Sequence, residues 1–345
     1  MKLSRKAKAV QAVAVVTGAL VLLAGCSSTS PGSGSSSGSA GSGNYNMTLL
    51  PKNLGNPYFD TSNTGAAAAA GEFGGKINFT GPSTATADSQ VSYINTATQQ
   101  HAGAIMISAN DQTAVCDALN DAMDAGVKVV TFDSDAPTCR DLFINQATAD
   151  GIANVLVDMI SEQVGDSGQI AILSATANAT NQNAWIDSMK TLLAANHPNI
   201  QLVEVVYGND VDQTSFDATS ALLQKYPDLK GIVAPTTVGI AAAARYISTS
   251  QYKGKVAITG LGTPNDMRSY VKDGTVTEFA LWNPSDLGYL ATYAAKALID
   301  GQITGAQGDT FTAGKLGSFT VGADKTVVLG DPYKFNASNI DQFNF

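Results

Sequence analysis

From Met47 onward, short apolar runs alternate with longer segments whose apolar residues recur every three or four positions. The short runs predict strands over 47–50, 77–80, 104–108 and 127–132. The longer segments predict helices over 61–73, 87–100 and 113–125. Val91, Ile94 and Ala97 mark one apolar helical face, and Gly126 supplies a C-terminal stop. The rhythm then restarts, with strands over 169–173, 202–206, 231–234, 255–259 and 278–281 and helices over 183–195, 213–225, 239–247, 265–273 and 286–300. Strand–helix alternation implies parallel sheets covered by helices on both faces. Two such runs predict an α/β protein of two similar doubly wound lobes with a cleft between them. The first lobe is expected to hold 44–147 plus 283–312, and the second 148–282 plus 313–345. The first crossover is expected near 143–147, and 314–345 reads as strands returning across the lobes.

The first 43 residues follow a different pattern. Lys2, Arg5, Lys6 and Lys8 precede an uncharged apolar run over 12–24, too short for a bilayer core that needs about 20 apolar residues. This is the form of a signal peptide over 1–25. Residues 26–43 are almost wholly Ser and Gly after the Cys, a composition that forms a flexible tether and buries no core. The junction Leu23-Ala24-Gly25-Cys26 resembles the bacterial lipobox, in which the Cys becomes the lipidated first residue. The plainer alternative is a cleaved secretory peptide with an incidental Cys. The expected location is the extracytoplasmic face of the cell membrane, held by a lipid anchor.

Charge narrows the ligand. The 345-residue chain carries a formal −9, and loss of the four leader cations makes the remainder more acidic. Such a balance argues against nucleic acid, against anionic lipid surfaces and against phosphorylated ligands. A neutral ligand fits best, with membrane contact through the anchor only. Of three Cys, Cys116 and Cys139 remain after Cys26. A disulfide between them is expected, since export permits it and both fall near one edge of one lobe. Two separate buried thiols are the alternative. Without a CxxC spacing they make no metal site, and no cofactor is expected.

Ligands of parallel α/β sheets bind beyond the carboxyl ends of strands. Here those ends carry Lys52, Asn53 and Phe59, then Asn110 and Asp133. In the second half they carry Ser174, Asn181 and Gln182, then Pro235 and Thr237, then Trp282. Amides, hydroxyls and carboxylates can each bond neighbouring sugar oxygens, while aromatic rings cover sugar C–H faces. A neutral hydrogen bond adds only about 0.5–1.5 kcal/mol net, so tight binding needs many in a closed cleft. Any one of these residues has a bland reading. Asp133 or Asn181 alone could cap a helix, and Tyr58 and Phe59 could be core aromatics at the start of the first helix. Recurrence at most strand ends of both halves favours the binding reading.

Enzyme chemistry finds little support. His101 and His197 fall at helix ends among polar neighbours and read as surface positions. No GxSxG, HExxH or GxxxxGK[ST] motif is present. Asp133 and Asp135 could be imagined as a glycosidase pair, but nothing else supplies an acid–base system. No catalytic residue is therefore assigned.

Several segments carry a family resemblance: 52–60 (Lys-Asn-Leu-Gly-Asn-Pro-Tyr-Phe-Asp), 107–111, 172–176 with 180–183, 234–239, 259–262 and 278–284. From about Met47 to Phe345 the chain resembles the sugar-binding lipoproteins of bacterial ABC transporters with the ribose-binding-protein fold. It is most similar to the rhamnose-binding branch, with the autoinducer-2 receptors as close relatives. The resemblance implies ligand contacts at Lys52 and Asp133. The receptors' Asp-Gln pair falls on Asn181-Gln182, and their Pro-Asp-Ala turn on Pro235-Thr236-Thr237, both as in rhamnose-type members. Asp133-Ser134-Asp135 and 143–146 look more like the autoinducer-2 side. What the resemblance implies is a monomeric receptor that delivers a small neutral sugar, L-rhamnose, to a membrane permease. An autoinducer-2 or other pentose or polyol receptor is the alternative, and a sugar-acting enzyme a more distant one. Phe59 and Trp282 would wall the methyl of a 6-deoxy sugar, whose burial is worth roughly 0.8 kcal/mol.

Overall fold

The computed structural model describes residues 43–345. The expected leader, the expected lipid-anchor Cys26 and all but the last residue of the tether lie outside the described residues.

In chain order the first half is β1 (Asn46–Leu50), α1 (Pro57–Glu72), β2 (Lys76–Phe79), α2 (Val91–Gln99), β3 (Ala104–Ile107), α3 (Cys116–Asp124), β4 (Lys128–Phe132) and β5 (Leu142–Asn145). Next come α4 (Ala149–Val164), β6 (Gly168–Ser174), α5 (Thr180–Asn196), β7 (Ile200–Tyr207), α6 (Asp212–Lys225), β8 (Leu229–Ala234), α7 (Thr237–Ser248), β9 (Ala257–Gly260), α8 (Pro264–Lys272) and β10 (Glu278–Leu281). The chain closes with α9 (Pro284–Ile299), the hairpin β11 (Thr310–Thr312) and β12 (Ser318–Thr320), then β13 (Thr326–Val328) and β14 (Tyr333–Asn336).

One parallel sheet runs β13-β5-β4-β3-β1-β2 and another β7-β6-β8-β9. Beyond β9 a bridge between Leu261 and Ala280 leads to β10, which pairs antiparallel with β14. This is the two-lobed α/β architecture that the hydrophobic rhythm predicts. Alternation along the strands divides the first lobe's core. Ile105, Ile107 and Val129 join Ile94 of α2 and Leu119 of α3, while Ala104, Met106, Val130 and Phe132 join the opposite layer with α1 and α9.

The α1–α9 layer is unusually close. A Cβ on Gly65 would lie 1.8 Å from the Ser285 carbonyl oxygen, and one on Gly288 would lie 2.0 Å from that of Ser62. Only glycine permits these backbones to meet. The second lobe sandwiches its sheet between α4 with α5 and α6 with α7.

Three expectations need correction. The stretch expected as a crossover near 143–147 is largely β5, whose Leu142, Phe143 and Ile144 are buried beside β4; the crossover follows it at 146–148. Helix α4 is absent from the predicted set, although Thr148 accepts a hydrogen bond from Gly151 N at its start and left-handed Gly165 ends it. The block 313–345 does not belong wholly to the second lobe, because β13 pairs parallel with β5 in the first-lobe sheet. Arg140 holds the approach to that strand, donating to the carbonyls of Asp324 and Lys325. The chain therefore passes between lobes at 146–148, 282–283 and 329–332.

Cys116 and Cys139 form a disulfide with Cα atoms 5.3 Å apart, tying the start of α3 to the loop after β4. Among the described residues no helix is long and apolar enough to cross a membrane, and no group of three His, Cys, Asp or Glu could hold a metal ion.

Candidate binding site between the lobes

Helix α1 begins four residues before the predicted 61, because Asn56 accepts a hydrogen bond from Tyr58 N and Pro57 takes the first helical turn. That start places Tyr58 and Phe59 at the carboxyl edge of the first sheet. From the second lobe, α5 begins beside Asn181 and Gln182, and α7 begins at Thr237 after Pro235 and Thr236. Three helix N-termini thus converge, and their partial positive charge favours carboxylates and ligand oxygens there.

Between them lies a small cavity lined by side chains of both lobes, a concave, partly apolar setting of the kind small-molecule sites use. Polar groups on its wall are Lys52, Asn56, Asp133, Asn181, Gln182, Asp210, Thr236 and Thr237. Apolar surface comes from Tyr58, Phe59, Trp185 and Trp282. Trp282 packs edge-on to both Tyr58 and Trp185.

Asp133 sits at the centre of a bonded cluster. Its backbone adopts φ +61° in a tight turn in which Ser134 N donates to Phe132 O, a sparsely populated conformation for a residue with a side chain. Oδ2 accepts from Ser108 Oγ at 2.6 Å, and Oδ1 from Tyr58 OH at 3.2 Å. Trp282 Nε1 in turn donates to Tyr58 OH at 2.9 Å. Burial, followed by the negative charge of Asp133, pushes the Tyr58 hydroxyl well above its ordinary pKa, so it stays a donor.

Lys52 reaches across the cleft. Nζ donates to Asn181 Oδ1 at 3.0 Å and stands 3.7 Å from Asp133 Oδ2. Asn181 Nδ2 lies 3.4 Å from both the backbone oxygen and Oδ1 of Asp133. Those longer contacts are weaker and leave room for a ligand hydroxyl to compete. The Gln182 carbonyl is committed to Ser174 Oγ and Ala175 N, which leaves its NH₂ for a ligand.

Of the residues singled out from the sequence, Lys52, Phe59, Asp133, Asn181, Gln182, Pro235, Thr237 and Trp282 all line this cavity. Asn53 and Asn110 do not. Asn110 donates through Nδ2 to the Lys52 carbonyl and to Ser89 Oγ, and its own N–H donates to Gln90 Oε1. Gln90 also donates to the carbonyls of Pro51 and Ser108. Asn110 therefore positions the Lys52 loop from behind, and Asn53 lines a neighbouring groove. Asp135 turns away too, held by Arg140 at 2.6 and 2.8 Å, by Thr131 Oγ1 and by Ala136 N. It forms no carboxylate pair with Asp133 across the cavity. His197 Nδ1 lies 2.6 Å from Asp166, well outside the cavity wall.

Sequence reasoning missed Asn56, Trp185 and Asp210, and it noted Tyr58 and Ser108 at strand ends without assigning them to the site. Asn56 and Tyr58 lie inside the segment 52–60 already singled out. Asp210 had no such signal, since Gly208-Asn209-Asp210 reads as an ordinary turn.

Comparison with known proteins agrees with this geometry. The model of the "Periplasmic binding protein domain" family matches residues 47–303. A solved structure described as a sugar ABC transporter from Actinomyces odontolyticus is 56% identical, covering 87% of this chain and 97% of that one, with a TM-score of 0.71. An ABC transporter solute-binding protein from Clostridium phytofermentas with bound L-rhamnose is 39% identical, with coverage of 86% and 97% and a TM-score of 0.84. LsrB from Clostridium saccharobutylicum in complex with AI-2 is 28% identical, with coverage of 87% and 100% and a TM-score of 0.81.

Proposed function

This chain belongs to the periplasmic binding protein domain family, and from that premise we propose that its cleft closes around L-rhamnose and delivers it to a membrane permease. The broader role is that of a sugar-binding, extracytoplasmic solute-binding protein of an ABC importer, a receptor and not an enzyme. One observation carries the choice of sugar. The cavity is lined by Lys52, Asp133, Asn181, Gln182 and Thr237 together with the rings of Phe59, Trp185 and Trp282. A 6-deoxy hexose presents both hydroxyls and a methyl, which suits that mixture of polar and aromatic groups. The 39% identical protein that holds L-rhamnose supports the same reading.

In this reading Lys52 and Asp133 bind sugar oxygens from the first lobe. Asn181, Gln182 and the Pro235–Thr237 turn bind from the second, in competition with the 3.4 Å contacts between Asn181 and Asp133. The lobes hinge at 146–148, 282–283 and 329–332, and the ligand favours the closed form through contacts to both sides. The 56% identical neighbour overlays less well than the 39% identical one, a pattern that rigid lobes at different angles would produce. Cys26 carries the lipid anchor, and the protein works as a monomer.

The autoinducer-2 receptor is the second reading, favoured by the Lys52–Asp133 pair and by the AI-2-bound neighbour. A thermal-shift screen of L-rhamnose, D-ribose, D-arabinose and AI-2 separates the two. A ligand at 100 times its Kd stabilises the folded state by about 2.7 kcal/mol, so L-rhamnose should raise the melting temperature most. A larger shift with AI-2, or none with any sugar, would overturn the assignment. Detergent-phase partition of wild type but not Cys26→Ser would test the anchor.

A further inference from the structure

We propose that Asp210 is a specificity-determining contact: its free carboxylate oxygen receives one ligand hydroxyl from the second-lobe side of the cavity. The inference rests on the sugar-binding reading above and deepens it.

The first argument concerns capacity. Asp133 already accepts from Ser108 and Tyr58, is approached by Asn181 and faces the Lys52 ammonium. Its lone pairs are largely spoken for. Asp210 also lines the cavity, yet its carboxylate has one hydrogen bond, from Thr236 Oγ1 to Oδ1 at 2.5 Å. Among the described residues no other group hydrogen-bonds it. A carboxylate has roughly four acceptor sites, so Asp210 is the acidic group with most to offer a ligand.

The second argument concerns placement. Asn209 and Asp210 are both left-handed, with φ +55° and +51°. Successive non-glycine residues there cost of order 1 kcal/mol each. Gly208 N and Asn209 N donate to Ser174 O and Ala175 O, which anchors this turn to the end of β6 beside Gln182. The strained turn carries the carboxylate inward. Asp210 borders both this cavity and the neighbouring groove lined by Asn53 and Asp212.

The third argument is electrostatic. Burial pushes the Asp210 carboxyl above its ordinary pKa, and neighbouring Asp133 adds to this; Thr236 and Lys52 only partly offset it. The site thus holds a desolvated acceptor with incomplete compensation. A ligand hydroxyl would relieve it, and an epimer that presents no hydroxyl there would leave it unrelieved. That asymmetry is how hydrogen-bonding sites reject close analogues.

The experiment is calorimetric titration of wild type, Asp210→Ala and Asp210→Asn with L-rhamnose, D-ribose and AI-2, followed by the monodeoxy analogues of whichever binds tightest. Asp210→Ala should weaken the parent ligand by 10- to 100-fold (about 1.4–2.8 kcal/mol), and Asp210→Asn by less. For one deoxy analogue, and one only, wild type and Asp210→Ala should bind within twofold. Thermal melts of the apo variants check that each is folded. Equal losses against every analogue would mean that Asp210 merely holds the Thr236 turn, and would overturn the proposal. So would unchanged affinity of Asp210→Ala for a ligand that wild type binds, with the sugar reading left intact. Wild type that binds none of the three compounds would overturn both.

Discussion

The Lys52 ammonium, from the first lobe, donates a 3.0 Å hydrogen bond to Oδ1 of Asn181, from the second. The same nitrogen stands 3.7 Å from Asp133. One cation therefore serves both sides of the cleft: it offsets the first-lobe carboxylate and grips the second-lobe amide. Both Lys52 and Asp133 are about 5% exposed, so the contact is shielded from the screening that weakens surface ion pairs. Replacing Lys52 by Met keeps the bulk and removes the charge. Affinity for the bound sugar should fall by about 2–3 kcal/mol, the cost of stripping a charged partner from a buried hydrogen bond. Titration calorimetry reads this directly, and unchanged affinity would remove Lys52 from the site.

Both tryptophans of the chain, Trp185 and Trp282, line the cavity. Ligand binding should therefore change intrinsic fluorescence without any added label. Trp282 also donates to Tyr58 OH, so Trp282→Phe should lose about 1 kcal/mol of binding or stability through that bond. The remaining Trp185 signal should still respond to sugar. A silent titration in wild type at saturating sugar would contradict the position given to both rings.

Asp210 carries a stability signature distinct from its binding role. Its folded pKa is raised by burial, so between the ordinary aspartate value near ~4 and the folded value the native state binds more protons than the unfolded chain. Stability from this group is then greatest at low pH and declines as pH rises through that window. Asp210→Asn should raise the melting temperature at pH 7.5, with the gain shrinking toward pH ~4 as wild type becomes protonated. Binding should weaken in the same variant. A lower melting temperature at neutral pH would refute the sign. The combination of a stabilised fold and poorer binding is what a site residue kept for function at the expense of stability produces.

The α1–α9 contact predicts a purely structural sensitivity. A methyl at Gly288 would stand 2.0 Å from the Ser62 carbonyl oxygen, and both partners are backbone, so the helices must move apart. Gly288→Ala should cost about 3 kcal/mol or the upper end of overpacking penalties. Differential scanning calorimetry would register the loss. Because α1 carries Tyr58 and Phe59 and α9 follows Trp282, sugar affinity should drop as well.

Most of the architecture was legible in the chain because strand and helix periods are local properties. Val91, Ile94 and Ala97, or Ile105 and Ile107, announce their element from a few neighbours alone. The parallel α/β class follows from their order, and the strand-end rule then marks Lys52, Asp133, Asn181 and Trp282. Helix α4 was equally local, with Thr148, Gly165 and the stripe Ile152, Leu156, Met159 and Ile160.

What the tertiary structure alone decided depends on residues far apart in sequence. Three residues of β13 cannot declare which sheet they join, since pairing is settled by the path of the chain and by Arg140 across 184 positions. Asn110 and Asn181 are chemically alike, yet one faces the Lys52 backbone and the other the Lys52 ammonium. Tyr58 is an ordinary core aromatic until Trp282, 224 residues later, donates to its hydroxyl and Asp133 accepts from it. Period and propensity act over one or two turns of chain, whereas the partner of a polar atom is fixed by packing between lobes.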